Sequence, residues 1–349
     1  MKFTVDHTKF KNILDLINTV TEGNVLIESV EDGIQITGQG QDISVRRFCE
    51  ADIKEEGSIC TGISKLYNQV KGLDYEATFS EDTNGWIKLK SGKFNSRIPA
   101  MDVASFPSFP ETDDYPIRMQ SEDLGKMIKS VEFAITQEES QYSLQGIKIE
   151  LGDGILRLAA TDGHRIVYTE TDVDGELDTL LPKKSLHYLI KLPKGEVEIG
   201  QDENHLFFRQ DDIHLVARQI TGKFPNYRMV AEVETDKEMI VSLEQFEKSL
   251  KRILALADVK VNKVVFKLAD EELNLSASSA EAGEGEETLD VEYEGKDSEL
   301  YLNSLFLTDF LNVATGFNLH MYFKDKNSPV RFNFGDDSYN YYLMPLTNR

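Results

Sequence analysis

The sequence predicts an α+β protein: three tandem copies of one unit of roughly 120 residues, each with two helices packed on antiparallel sheets. Three observations carry that reading. A short apolar alternation running into a helix-like stretch occurs three times. A second strand-to-helix passage recurs at a fixed interval, and each copy holds one hairpin pattern of alternating apolar residues around a tight turn.

The first element of each copy is KFTVDHTKFKNILDLIN from Lys2, PIRMQSEDLGKMIKSVEFAI from Pro116 and EMIVSLEQFEKSLKRILALA from Glu238. The hairpins follow, with turns expected around Asp32-Gly33, Asp153-Gly154 and Glu271-Glu272. Asp-Gly between alternating apolar residues is the strongest short signal of a two-residue hairpin. The second passage reads GSICTGISKLYNQVKGL from Gly57, DTLLPKKSLHYLIKL from Asp178 and SELYLNSLFLTDFLNVA from Ser298; Thr61 to Pro182 and Pro182 to Asn303 both span 121 residues. Each copy closes on two or three strands of period-2 alternation, as in EVEIGQDENHLFFRQDDIHLVARQI. A copy therefore runs β-α-β-β-β twice, so it is itself a duplication, and three copies supply six helices. Pro, Asp and Glu cluster at Pro107–Pro116 and Glu232–Glu238, which places domains at 1–112, 113–235 and 236–349.

Two cysteines, Cys49 and Cys60, have no metal-type spacing and form no disulfide framework, which fits a reducing cytoplasm. The N-terminus lacks an unbroken apolar run, and no stretch approaches ~18 consecutive apolar residues, so neither export nor a membrane span is expected. A net charge of −23 excludes a protein that coats nucleic acid with its general surface. The charge is nonetheless segregated: the six predicted helices together carry +4, leaving −27 for the rest of the chain. Lys65, Lys71, Lys126, Lys129, Lys183, Lys184, Lys191, Lys248, Lys251 and Arg252 put cations on helical faces. Such a set attracts a duplex weakly and without reading its bases, because lysine meets phosphate as a mobile point charge; solvated lysines on exposed helices are the plain alternative.

Asp162 and His164 invite a catalytic reading, but Asp162-Gly163 is also a good turn, His164 would then sit on a hairpin, and no Ser or Cys nucleophile motif accompanies them. GQGQD at Gly38–Asp42 lacks the third glycine and the helix of a phosphate loop and reads as a strand end or turn. The acidic run Ala280–Asp290 lacks EF-hand spacing and reads as a solvated hairpin loop. Six scattered histidines include no pair at metal-ligand spacing, so no metal or other cofactor is expected.

TDGHRI at Thr161–Ile166, GKFPNY at Gly222–Tyr227 and YYLMPL at Tyr341–Leu346 together resemble the bacterial DNA polymerase III beta subunit (beta sliding clamp) family. The repeat order covers the whole chain; motif-level similarity lies in the second and third copies. The resemblance implies a non-enzymatic processivity factor of DNA replication, a head-to-tail homodimer closing six domains into a ring around duplex DNA, with helices inside and sheets outside. It implies a groove for short Gln/Leu/Phe-containing peptides of DNA polymerase, the clamp loader and repair proteins, formed here by Leu144, Thr161, Gly163, His164, Arg165, Ile166, Pro225, Met229, Val230, Tyr342, Met344, Pro345 and Leu346. Apolar and methionine side chains suit such a concavity because they take apolar anchors and adapt to several partners. ATP would be used by a separate loader.

The sequence departs from the family pattern in several places. Met229 stands where a basic residue is usual, Tyr342 is bulkier than the usual aliphatic, and the tail continues as TNR. VTEGNVLIES lacks the longer Pro-containing basic loop that often touches DNA, and Glu138 and Gln141 occupy a loop that often carries DNA-contacting polar or basic residues. An accessory or phage-encoded clamp with altered partners, or an acidic enzyme with a site at Asp162 and His164, are the alternatives.

Overall fold

The computed structural model describes residues 1–82, 84–136 and 144–347. Glu138 and Gln141 lie outside the described residues. The first copy runs through a strand at Lys2–Val5, helix α1 (His7–Val20), strands ending at Ser58–Gly62, helix α2 (Ile63–Val70), and three strands at Ala77–Glu81, Trp86–Ser91 and Phe94–Pro99. The second has α3 (Ser121–Val131) and α4 (Lys183–Leu189) in the same places. A four-residue helix, α5 (Arg228–Ala231), precedes the third copy with α6 (Leu243–Leu254) and α7 (Ser304–Leu311). The doubled β-α-β-β-β order is thus present in all three copies, with one extra short strand in the first and the third.

Local chemistry explains where the helices begin. The Asp6 carboxylate accepts from the Lys9 amide at 2.8 Å and starts α1, which buries Phe10, Ile13, Leu14 and Ile17 on one stripe. Asn303 caps α7 by accepting from the Leu305 and Phe306 amides. Ser242 does the same for α6, whose buried stripe is Leu243, Phe246, Leu250 and Ile253.

Contacts divide the chain into two compact units: Met1–Glu122 with Lys184–Gln219, and Asp123–Lys183 with Ile220–Arg349. The first unit holds a five-stranded sheet whose last strand is Phe94–Pro99, and an eight-stranded sheet in which Ile213–Arg218 pairs antiparallel with Ile43–Glu50. The second holds a nine-stranded sheet in which Arg165–Asp172 pairs with Tyr339–Leu343, and a four-stranded sheet with Gly283–Asp290 at its edge. In both large sheets, therefore, the third hairpin strand of one copy joins the final strand of the next copy. Aromatic clusters fill the cores, with Phe3 stacked on Phe79 in the first unit and Phe310 stacked on Tyr341 in the second.

Three sequence expectations need correction. The third hairpin turns at Asp270-Glu271, both with positive φ, because Ala269 pairs with Glu272; the turn expected at Glu271-Glu272 is one residue late. In the first hairpin Val30 pairs with Gly33, so the turn is Glu31-Asp32 and Gly33 opens the next strand. Gly33 is needed there for close approach, since a Cβ would lie 2.3 Å from the Cys49 carbonyl oxygen. The second hairpin turns at Asp153-Gly154 as expected. Finally, the acidic run is not a loop: Gly283–Asp290 is a strand paired residue for residue with Glu272–Ser279. Charge is tolerated along it because an edge strand keeps alternate side chains in water.

Candidate partner groove and cationic helices

Thr161–Arg165 forms a tight turn at one end of the nine-stranded sheet, and the turn is built from its own side chains. Thr161 Oγ1 donates to the Arg165 carbonyl at 2.7 Å and accepts from the Gly163 amide at 3.1 Å. Asp162 accepts from the His164 and Arg165 amides, and its other oxygen takes the Arg165 Nε at 2.9 Å. Gly163 has φ +88°, which glycine adopts without strain. Both oxygens of Asp162 are thereby engaged in shaping the turn, and His164 lies exposed on it, stacked against Phe306.

Arg165 was expected to line the groove, but the structure buries it, leaving 7% exposed. Its guanidinium reaches Asp309 at 2.7 Å and the Phe133 carbonyl at 3.0 Å, and packs over the Phe306 ring at 4.3 Å. These partners come from within the second unit, so Arg165 ties the turn to α7 and to the 3-10 turn Glu132–Ala134 that follows α3. Leu144 is likewise buried.

The C-terminal segment docks beside this turn. The Met344 amide donates to the His164 carbonyl at 3.1 Å and the Leu346 amide to the Tyr301 carbonyl at 2.7 Å. Strand pairing aligns Ile166, Tyr342, Arg331 and Tyr322 in one row across the sheet. The Tyr342 ring stacks on Tyr168, which also contacts Tyr227, and burial pushes the Tyr342 phenol well above the ordinary tyrosine range. A cavity of about 250 Å³ opens next to it, bordered by Val230, Val233, Pro329, Arg331 and Tyr342. Among the described residues the buried Arg331 Nε has no hydrogen-bond partner.

Of the predicted groove residues, Thr161, Gly163, His164, Ile166, Tyr342 and Met344 are thus gathered around one turn and one strand end, and Val230 meets Tyr342 at the cavity. Pro225 borders a separate depression with Lys148, Glu150 and Phe224. Met229 is exposed on α5, and Pro345 and Leu346 are half-buried on the docked tail. Sequence reasoning missed Tyr168, Phe306 and Arg331. Only Arg331 had a signal, as the one charge in the apolar alternation SPVRFNF.

The cations are mostly exposed, but several are paired. Lys248 bonds Glu244 and Lys251 bonds Glu247 one turn away on α6, Arg252 bonds Glu287, Lys126 meets Asp123 at 2.8 Å, and Lys184 meets Asp42 at 3.5 Å. Lys65 and Lys129 are exposed on α2 and α3, and Lys183 opens α4 half-buried. Lys71 and Lys191 were expected on helices and fall just beyond the ends of α2 and α4. Exposed pairs of this kind are weak, because water and salt screen them.

A family model of the DNA polymerase III beta subunit central domain matches residues 118–226, and one of its C-terminal domain matches residues 231–347. The chain belongs to this family. Two relatives named Beta sliding clamp align over almost the whole chain. That of Pseudomonas aeruginosa is 27% identical over 99% of this chain and 100% of its own length, and that of Vibrio cholerae is 25% identical with the same coverage. Among solved structures, the DNA polymerase III subunit beta of P. aeruginosa superposes with a TM-score of 0.94 at 24% identity, covering 100% of both chains. The DNA polymerase sliding clamp of Bacillus subtilis gives 0.95 at 21% identity over 100% of both. A P. aeruginosa clamp solved bound to griselimycin gives 0.92 at 24% identity, again over 100% of both chains. The function of the chain is that of a DNA sliding clamp.

Proposed function

We propose that two copies of this chain close head to tail into a ring around duplex DNA, and that the groove beside Thr161–Ile166 tethers DNA polymerase, the clamp loader and repair proteins through short Gln/Leu/Phe-containing peptides. The observation that carries the ring is the repeated junction. Ile43–Glu50 takes the last strand of the second copy, and Arg165–Asp172 takes the last strand of the third. The equivalent strand of the third copy, Gly283–Asp290, stands at a sheet edge, and so does the last strand of the first copy, Phe94–Pro99. A second molecule completes the series by joining those two edges, and two such joints close a ring.

Charge favours the match. Gly283–Asp290 carries Glu284, Glu286, Glu287 and Asp290, whereas Arg97 lies on Phe94–Pro99 with Lys88, Lys90 and Lys93 on the adjoining strand and turn. On this reading the domains are 1–112, 113–235 and 236–349, the joints falling between them.

Retention then follows from topology, so the helix cations need only a weak, sequence-independent hold on phosphate, which leaves sliding fast. No chemical step is assigned to the chain, and the proposed place of work is the cytoplasm. Among the described residues no helix is long and apolar enough to cross a membrane. The experiment is size determination combined with retention on DNA. A species near twice 39.6 kDa that stays on circular duplex and runs off linear duplex is the expected result. Equal retention on both templates would exclude the topological mechanism.

A further inference from the structure

We propose that the first repeat junction is a second peptide groove whose occupant is the chain's own linker, Ser108–Tyr115. The position follows from register. In the second unit, Thr161 pairs with Ile166, Ile166 with Tyr342, Tyr342 with Arg331 and Arg331 with Tyr322. In the first unit the same steps run from Gln39 to Ser44, Val216, Phe207 and Gly200. Gln39 and Thr161 each lie six residues after the residue that opens their hairpin strand, Gly33 and Ile155, so the two rows are equivalent.

One row borders an open cavity and the other is covered. Gln39 Nε2 donates to the Ser108 carbonyl at 2.9 Å at one end. At the other end, a Cβ on Gly200 would lie 2.1 Å from the Asp114 carbonyl oxygen, so only glycine admits the linker there. Four strand spacings separate these ends, about 19 Å, and six extended residues from Ser108 to Asp114 reach at most ~20 Å. The linker therefore runs nearly straight over the middle of the row, where Val216 and Phe207 are 4% and 1% exposed. Two arginines hold it. The Arg46 guanidinium lies 4.2 Å from the Phe109 ring centre and pairs with Glu111, and that of Arg209 lies 4.1 Å from the Tyr115 ring centre.

The floor is apolar and its flanks are cationic, so the ligand it fits is an acidic segment with aromatic anchors. The linker SFPSFPETDDY has that composition. Because it is tethered, its effective concentration is in the millimolar range, and free peptides of ordinary affinity do not compete. The intact chain consequently offers one open groove, although its architecture builds two.

The inference borrows only the position of the groove proposed above, and its test keeps the two apart. A fluorescent peptide of the linker sequence, Ser105–Pro116, is titrated against the full-length protein and against the double variant F109A/Y115A. Glu111→Ala, which removes the linker's pair with Arg46 and leaves the groove floor unaltered, is the second variant should the first not fold. The expected result is binding at least tenfold tighter to a folded, correctly sized variant than to the unaltered protein, lost again when Arg46→Ala and Arg209→Ala are added. Absence of peptide binding to both folded variants would overturn the proposal. A Gln/Leu/Phe-containing peptide in the same titrations reports on the groove beside Thr161–Ile166: if it fails while the linker peptide binds, the groove assignment is wrong and the inference stands.

Discussion

Arg165 shows how much a single side chain can change meaning between sequence and structure. Its place in TDGHRI marks it as a groove residue by resemblance, yet its guanidinium bonds to Asp309, 144 residues away, and is buried between rings of Phe133 and Phe306. Removing it leaves Asp162 and Asp309 without their cation, so Arg165→Ala should destabilise the second unit by about 3 kcal/mol, measured by urea unfolding. An unaltered midpoint would mean that the pairs of Arg165 with Asp162 and Asp309 contribute nothing net. Glu198 makes the equivalent point in the first unit. A hydrogen bond from Arg209, with the charges of Arg209 and Arg118, holds its carboxyl below the usual carboxylate range against the opposing effect of burial. A depressed folded pKa gives stability that is complete above the unfolded value and lost as pH falls through the folded one. Glu198→Gln should therefore flatten the acid limb of the stability profile and leave neutral-pH slopes unchanged. A profile still parallel to that of the unaltered protein as pH falls from the unfolded carboxylate value through the depressed folded one would assign the acid sensitivity elsewhere.

Among elements, the strands decide more than the helices do. Helix starts were readable because apolar spacing and the residues at each start act within one or two turns. The acidic run was misread because nothing local distinguishes a solvated hairpin loop from a sheet edge: Gly283–Asp290 becomes a strand only through its pairing with Glu272–Ser279. Its role in the proposed joint predicts that Glu284→Lys with Glu286→Lys weakens the dimer at least tenfold in sedimentation, more at low salt than at high salt. No change in self-association at low salt would place the joint on another edge. The C-terminal segment docks through main-chain bonds from Met344 to His164 and from Leu346 to Tyr301. Deleting Met344–Arg349 should abolish binding of a Gln/Leu/Phe-containing peptide and leave self-association intact; retained peptide affinity would mean that the groove lies elsewhere.

At the scale of the molecule, the sequence by itself determined the threefold repeat, the doubled β-α-β-β-β order within each copy and the segregation of charge between helices and sheets. These are legible because periodicity, turn chemistry and composition act over a few residues and repeat 121 residues apart. Only the tertiary structure decided which edges are used within the chain, that Arg165 is committed to the interior, and that the first junction is covered while the second keeps a cavity. The reason is physical. Equivalent positions carry different side chains, Phe207 against Arg331 and Val216 against Tyr342, and the chain crossing them differs as well. Whether such a row is filled or open depends on register, reach and close approach between segments far apart in the chain, and no local pattern encodes those.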